Sequence, residues 1–137
     1  MKYLSFDANI FVVRQTRQNT AIIHALQRAG RPLSPSEVLG EARKEAKSLG
    51  IATVYRNLKA LQDEGSIIQV ALPGLPARWE AAKKAHHHHF LCRQCDRLTD
   101  IHVCSRDLLG LVPGDYTLEE HDILLRGLCA ECSKRIS

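Results

Sequence analysis

No apolar run in the sequence approaches the roughly 20 residues that a bilayer-spanning helix needs. The opening MKYLSFDANIFVV also lacks the long apolar core and small-residue cleavage site of a secretory leader. Neither sign of charge is in great excess, the formal net charge being +4 over 137 residues. There is no His-Glu-x-x-His pair of the kind that holds hydrolytic zinc on one helix face. These absences exclude a membrane span and the commonest zinc-hydrolase motif, and they predict a cytoplasmic protein. What is present is a globular balance, 45% hydrophobic and 25% charged. The length holds one ordinary domain or two small ones.

The modest charge is unevenly placed. Up to Ala85 there are 13 Lys/Arg against 7 Asp/Glu, or +6, and the remainder has 6 against 8, or −2. A basic front half attracts phosphate backbones without sequence preference, whereas the acidic back half carries the cysteines and most of the histidines. Two jobs are implied.

Ile22, Ile23, Leu26 and Ala29 form a helical stripe closed by Gly30. Ser34-Pro35-Ser36-Glu37 is a capping box with proline at the first helical position, and Leu33 with Val38 suits a hydrophobic staple. That second helix is predicted to reach about Leu49-Gly50. A third helix covers Ile51 to Gly65, with Ile51, Val54, Leu58 and Leu61 on one face and Arg56 opposite, flanked by Ala52, Thr53 and Lys59. Small residues near its N-terminal end with long donors beyond suit insertion into a major groove. Ile67 to Leu72 and Ala77 to Ala81, separated by Pro73-Gly74-Leu75-Pro76, read as a hairpin. Three helices and a hairpin are the order of a winged helix-turn-helix, whose wing places Arg78, Lys83 and Lys84 near phosphates.

Cys92-Arg-Gln-Cys95 and Cys129-Ala-Glu-Cys132 each set two thiolates on one tight turn, and two such turns supply a tetrahedron for Zn²⁺. Two disulfides are the alternative, but a cytoplasmic chain is kept reduced. Cys104 is left over and reads as a partly buried free thiol. His86-His87-His88-His89 runs into a strand, where side chains alternate between faces. His86 and His88 therefore face one way and His87 and His89 the other, enough for two sites. Glu80, Asp100 and Asp107 are candidate oxygen ligands and His121 a further nitrogen. Such mixed donors suit Fe²⁺, Mn²⁺ or Zn²⁺. The alternative is a solvated histidine run. Residues 97–103 and 117–125 read as further strands, with a short helix from about Ser105 to Leu111 between them. Their apolar residues exceed what so small a unit covers alone, which predicts a two-fold dimer and a palindromic DNA site.

Together, Ala52-Thr-Val-Tyr-Arg-Asn-Leu58, the histidine cluster and the paired Cys-x-x-Cys motifs resemble the ferric uptake regulator (Fur) family, from Arg14-Gln-Thr-Arg17 to Cys132. The resemblance implies an α+β chain: a winged helix-turn-helix DNA-binding domain over 1–83 and a small α/β dimerisation domain with structural zinc over 84–137. It implies a homodimeric, metal-dependent repressor of metal-uptake or peroxide-stress genes, acting on double-stranded palindromic operator DNA, with no membrane partner, organic substrate or enzymatic activity. Tyr55 and Arg56 match the DNA-contacting pair, and Thr53, Lys59 and Arg17 join them as candidates. Cys92, Cys95, Cys129 and Cys132 match the ligands of one structural Zn²⁺ per chain. Glu80, His87, His89 and Asp100 match the regulatory site for a second divalent metal, Fe²⁺, Mn²⁺ or Zn²⁺. His86, His88, Asp107 and His121 match an additional metal site. The family often adds a histidine just before the second helix; here Gly30-Arg31-Pro32-Leu33 has none. Zinc or manganese sensing is the alternative within the family, and a His/carboxylate metalloenzyme or metal-buffering protein the alternative outside it.

Overall fold

Thr16 caps the first described helix, α1 (Arg17–Ala29), by accepting the Asn19 amide, and Gly30 ends it at φ 61°. Only a residue without Cβ adopts that left-handed turn cheaply. The computed structural model describes residues 16–104 and 106–136. The N-terminal stretch 1–13, Arg14 and Gln15 of the matched motif, and Ser105, the start expected for the short helix, lie outside the described residues. Contacts divide the chain into two compact units, Met1–Lys83 and Lys84–Ser137. Among the described residues no helix is long and apolar enough to cross a membrane.

In the first unit, α2 (Pro35–Ala42) begins at a complete capping box: Ser34 accepts from the Glu37 amide while Glu37 accepts from the Ser34 amide. The helix stops at Ala42, well short of the predicted Leu49-Gly50. Beyond it the chain tightens into short turns, and Glu45 takes His24 and Arg28 of α1 as partners. The tighter path keeps Ala46 and Leu49 in the core, 7% and 0% exposed. Arg43 secures it by donating to the Leu49 carbonyl at 2.9 Å. Gly50 then starts α3 (Ile51–Asp63), which buries Val54, Leu58 and Leu61. Ile51, expected on the buried stripe, is 42% exposed because it stands at the helix's free first position. On α1 the buried face is Ala21, Ile22, Ala25 and Leu26, rotated slightly from the predicted stripe toward the two alanines, whose small side chains let α2 and α3 pack close. Strands β1 (Ile67–Val70) and β2 (Arg78–Ala81) pair antiparallel, and Leu33 bridges to Trp79 of β2. Leu33, Val38 and Ile67 close one core with the three helices.

The second unit is a three-stranded sheet in the order β4-β3-β5, built from β3 (His88–Cys92), β4 (Leu98–Ile101) and β5 (Leu124–Gly127). β4 runs antiparallel to β3 and β5 parallel to it. A 3-10 turn (Arg106–Leu111) and α4 (Ala130–Ile136) complete the unit. The predicted strand 117–125 is paired only from Leu124. Upstream, the Ile123 amide donates to the His88 ring Nδ1 at 3.2 Å, so an imidazole takes the place of a backbone partner and the ladder stops there. Likewise β4 ends at Ile101, short of the predicted Val103.

Candidate metal centres and DNA-facing helix

On α3 the buried stripe turns Tyr55, Arg56 and Lys59 outward, all exposed, with Ala52 beside them. Arg56 donates to Thr53 Oγ1 at 3.1 Å, which holds the guanidinium near the N-terminal end of the helix. Lys59 is 81% exposed and lies 3.7 Å from Asp63, and an exposed pair of this kind contributes little to stability. Arg17 is exposed at the first position of α1. The expected wing contacts fare differently. Arg78 is only 6% exposed, buried by its position on β2, and Lys84 makes an ion pair with Asp100. Of the three basic residues assigned to the wing, only Lys83 is presented to solvent.

The four paired cysteines converge. Cys92 and Cys95 sit on the turn that follows β3, closed by the Asp96 amide donating to the Cys92 carbonyl. Cys129 precedes α4 and Cys132 lies in its first turn. Their four sulfurs lie within 4.8 Å of one another, with Cys95 and Cys129 3.9 Å apart. A tetrahedral zinc with bonds of about 2.3 Å has sulfur–sulfur edges of about 3.8 Å. The cluster has that size, its cysteines are all free thiols, and its donor chemistry suits Zn²⁺. Amide N–H groups of Cys129 and Cys95 pull the Cys92 thiol down to about 6. Burial, with the neighbouring sulfurs, pushes Cys132 up to about 12. A zinc ligand must be a thiolate, so loading releases protons and affinity rises with pH. In the metal-free cluster Cys92 is a thiolate above about 6 and is protonated below it, whereas Cys132 gives up its proton only to the metal. Equilibrium dialysis against a weak chelator is therefore expected to show zinc retained at about pH 8 and released by about pH 5. Release that does not depend on pH would contradict thiolate ligation.

The histidines fall into two groups. His87 and His89 pack edge-to-face with ring centroids 4.9 Å apart. Their Nε2 atoms lie 3.9 and 3.6 Å from Asp100 Oδ1, on a carboxylate only 2% exposed. That oxygen is buried and accepts no hydrogen bond, whereas Oδ2 takes the Lys84 ammonium. The Ala85 carbonyl lies 2.8 Å from His87 Nδ1. A carbonyl only accepts, so His87 donates through Nδ1, and Nε2 is the ring nitrogen on the Asp100 side. An unsatisfied buried carboxylate oxygen faced by such a nitrogen fits a divalent cation. Glu80, in the first unit, is 2% exposed on β2 opposite Ile68. Arg31, near the position where a further histidine was sought, pairs instead with Glu37 at 2.9 Å.

The second group is His86, His88 and His121, joined by Cys104. Asp107 is not in it; it sits exposed on the 3-10 turn. Cys104, read from sequence as a partly buried free thiol, is exposed with its sulfur 3.0 Å from His121 Nε2 and 3.4 Å from His88 Nε2. The chain leaving β4 returns the thiol to the His88 face before the 3-10 turn begins, and no spacing rule signals that return. Burial, then the charges of His86 and His121, hold His88 below the ordinary imidazole range.

The sequence profile of the ferric uptake regulator family matches residues 12–111. The ferric uptake regulation protein of Helicobacter pylori is 28% identical over 125 residues, covering 89% of this chain and 83% of that protein. The peroxide operon regulator of Bacillus subtilis is 25% identical, with 90% and 86% covered. Among solved structures, the H. pylori ferric uptake regulator, described as having three functional metal binding sites, superposes with a TM-score of 0.67 at 25% identity over 97% of both chains. A zinc-bound manganese uptake regulator gives a TM-score of 0.75 at 22% identity, covering 89% of this chain and 95% of its own. The match spans the outward face of α3 as well as β3 and the histidine run, which sets aside the metalloenzyme alternative: the chain belongs to the ferric uptake regulator family of metal-responsive transcriptional regulators.

Proposed function

We propose that this regulator is a homodimer that binds palindromic operator DNA through α3 when a second divalent metal occupies His87, His89 and Asp100. The observation that carries the reading is the buried Asp100 oxygen facing His87 and His89. Nitrogen and oxygen donors of this kind accept Fe²⁺, Mn²⁺ or Zn²⁺. The family resemblance adds Glu80 of the first unit as a further ligand. A cation bound at these residues favours the arrangement of the dimer that holds it most tightly. The shift it produces equals its differential affinity for that arrangement, with tenfold worth about 1.4 kcal/mol. Tyr55, Arg56, Thr53, Lys59 and Arg17 are the proposed DNA contacts. Cys92, Cys95, Cys129 and Cys132 are the proposed ligands of the structural zinc. The exposed Leu109, Leu111 and Tyr116 supply apolar surface for a dimer.

Fluorescence anisotropy of the zinc-containing protein on a library of palindromic duplexes, titrated anaerobically with Fe²⁺, Mn²⁺ and Zn²⁺ in turn, tests the reading. Binding is expected to appear with one of these metals and to vanish on chelation. Binding indifferent to metal would overturn the gating, and no specific binding under any metal would overturn the DNA-binding assignment.

A further inference from the structure

The additional cluster in the second unit has a donor set that the family resemblance does not supply. His86 Nε2 lies 3.2 Å from His88 Nε2 and 3.3 Å from His121 Nε2. Cys104 Sγ is 3.0 Å from His121 Nε2 and 3.4 Å from His88 Nε2. Around a tetrahedral zinc, nitrogen–nitrogen edges are roughly 3.3–3.4 Å and nitrogen–sulfur edges roughly 3.5–3.6 Å, so the nitrogens already stand at ligand spacing while the Cys104 sulfur has to draw back by a few tenths of an ångström from His121 to admit the ion. Imidazole nitrogens crowded this closely repel unless protons or a cation lie between them, and one cation at their centre would engage all of them at once. His88, 2% exposed, brings its ring to the cluster from the buried side. Its Nδ1 also receives the Ile123 amide, a hydrogen bond that must rearrange if Nε2 is to ligate.

We propose that His86, Cys104 and His121, closed by His88, form a cation site with a thiolate ligand in place of the Asp107 carboxylate, and that this makes it a zinc site rather than an iron or manganese site. Hard carboxylate oxygen tolerates Mn²⁺ and Fe²⁺, whereas one thiolate among imidazoles favours the softer Zn²⁺. The chain then divides its metals by donor chemistry: two thiolate-bearing centres for zinc, and the His87, His89 and Asp100 centre for the regulatory metal. The Asp100 centre has no sulfur, so the two histidine groups are separable by spectroscopy.

Cobalt, a spectroscopic stand-in for zinc, tests the proposal. Protein holding one structural zinc per chain is titrated with Co²⁺ and the near-ultraviolet thiolate-to-cobalt charge-transfer band is followed. One added cobalt per chain is expected to give a band of one-thiolate intensity, abolished by Cys104→Ser and unchanged by Asp107→Asn. Cys104→Asp keeps an anionic ligand and is expected to restore cobalt binding without the band, while Zn²⁺-over-Mn²⁺ preference falls at least tenfold. Circular dichroism checks that each variant is folded; both positions are exposed. A band that survives Cys104→Ser, never appears in the unaltered protein, or disappears with Asp107→Asn overturns the assignment. Any of those results leaves the DNA-binding reading standing, because none of the four cluster residues belongs to the first unit.

Discussion

Cys92→Ser is expected to release the structural zinc and unfold the second unit while the first stays folded. The asymmetry follows from where the apolar core lies. Among the described residues, 13 hydrophobic side chains of the first unit form one buried cluster. In the second, those described as buried are Leu91, Leu98 and the two cysteines Cys92 and Cys132. Two buried leucines are too small a core to hold a unit of this size folded, because the burial of each offsets the ordering of only a few residues. Structural zinc contributes on the order of 10–16 kcal/mol in small zinc-dependent domains, so here the metal takes the place of a core. A serine oxygen at position 92 is a poor zinc ligand, and the change removes a sulfur whose ionisation the Cys129 and Cys95 amides favour. In protein loaded with a single equivalent of zinc, the structural zinc measured by mass spectrometry is expected to fall from one per chain to near zero. Amide exchange is expected to accelerate across β3, β4 and β5 and to stay slow in α1 and α3. Cys104→Ser serves as the control and should retain the structural zinc. Zinc retained at full stoichiometry in Cys92→Ser, with β3 still protected, would falsify the structural role.

Much of this architecture is legible in the sequence, for identifiable reasons. Helix ends are local chemistry: Ser34 and Glu37 reciprocate within one turn, and Gly30 supplies the left-handed residue that ends α1. Paired cysteines are likewise legible because each tight turn sets two sulfurs together whatever the rest of the chain does. The end of α2 is not legible, because it depends on Glu45 reaching His24 and Arg28 on another helix. Nor is the start of β5, where a His88 ring replaces a strand partner. The additional cluster shows the limit most clearly. Family correspondence assigns Asp107 to it, whereas the path of the chain after β4 brings Cys104 there. A ligand at fixed spacing within a motif can be read from sequence; one carried in by a loop needs the fold.

Arg56→Ala is expected to weaken operator binding about 30-fold to more than 10⁴-fold without changing the thermal midpoint. Its guanidinium is exposed, touches Thr53 at 3.1 Å, and lies opposite the buried Val54, Leu58 and Leu61. Truncating it therefore opens no cavity, and an exposed substitution of this sort shifts stability by at most about 0.5 kcal/mol. A bidentate arginine–base contact is worth about 1–3 kcal/mol. In the proposed two-fold dimer the residue acts once in each half-site, so the loss doubles to about 2–6 kcal/mol. The pattern of loss separates two roles for the side chain. If Arg56 reads a base, the variant binds all duplexes more nearly alike, with specificity relaxed at one symmetric pair of positions. If it contacts phosphate, affinity falls uniformly and the salt dependence becomes shallower by about one counterion per lost contact. Lys59→Ala, removing a point charge that is 81% exposed, is expected to show only the uniform loss. Anisotropy on matched and single-mismatch duplexes at two salt concentrations resolves these cases, and unchanged affinity for every duplex would remove α3 from the interface.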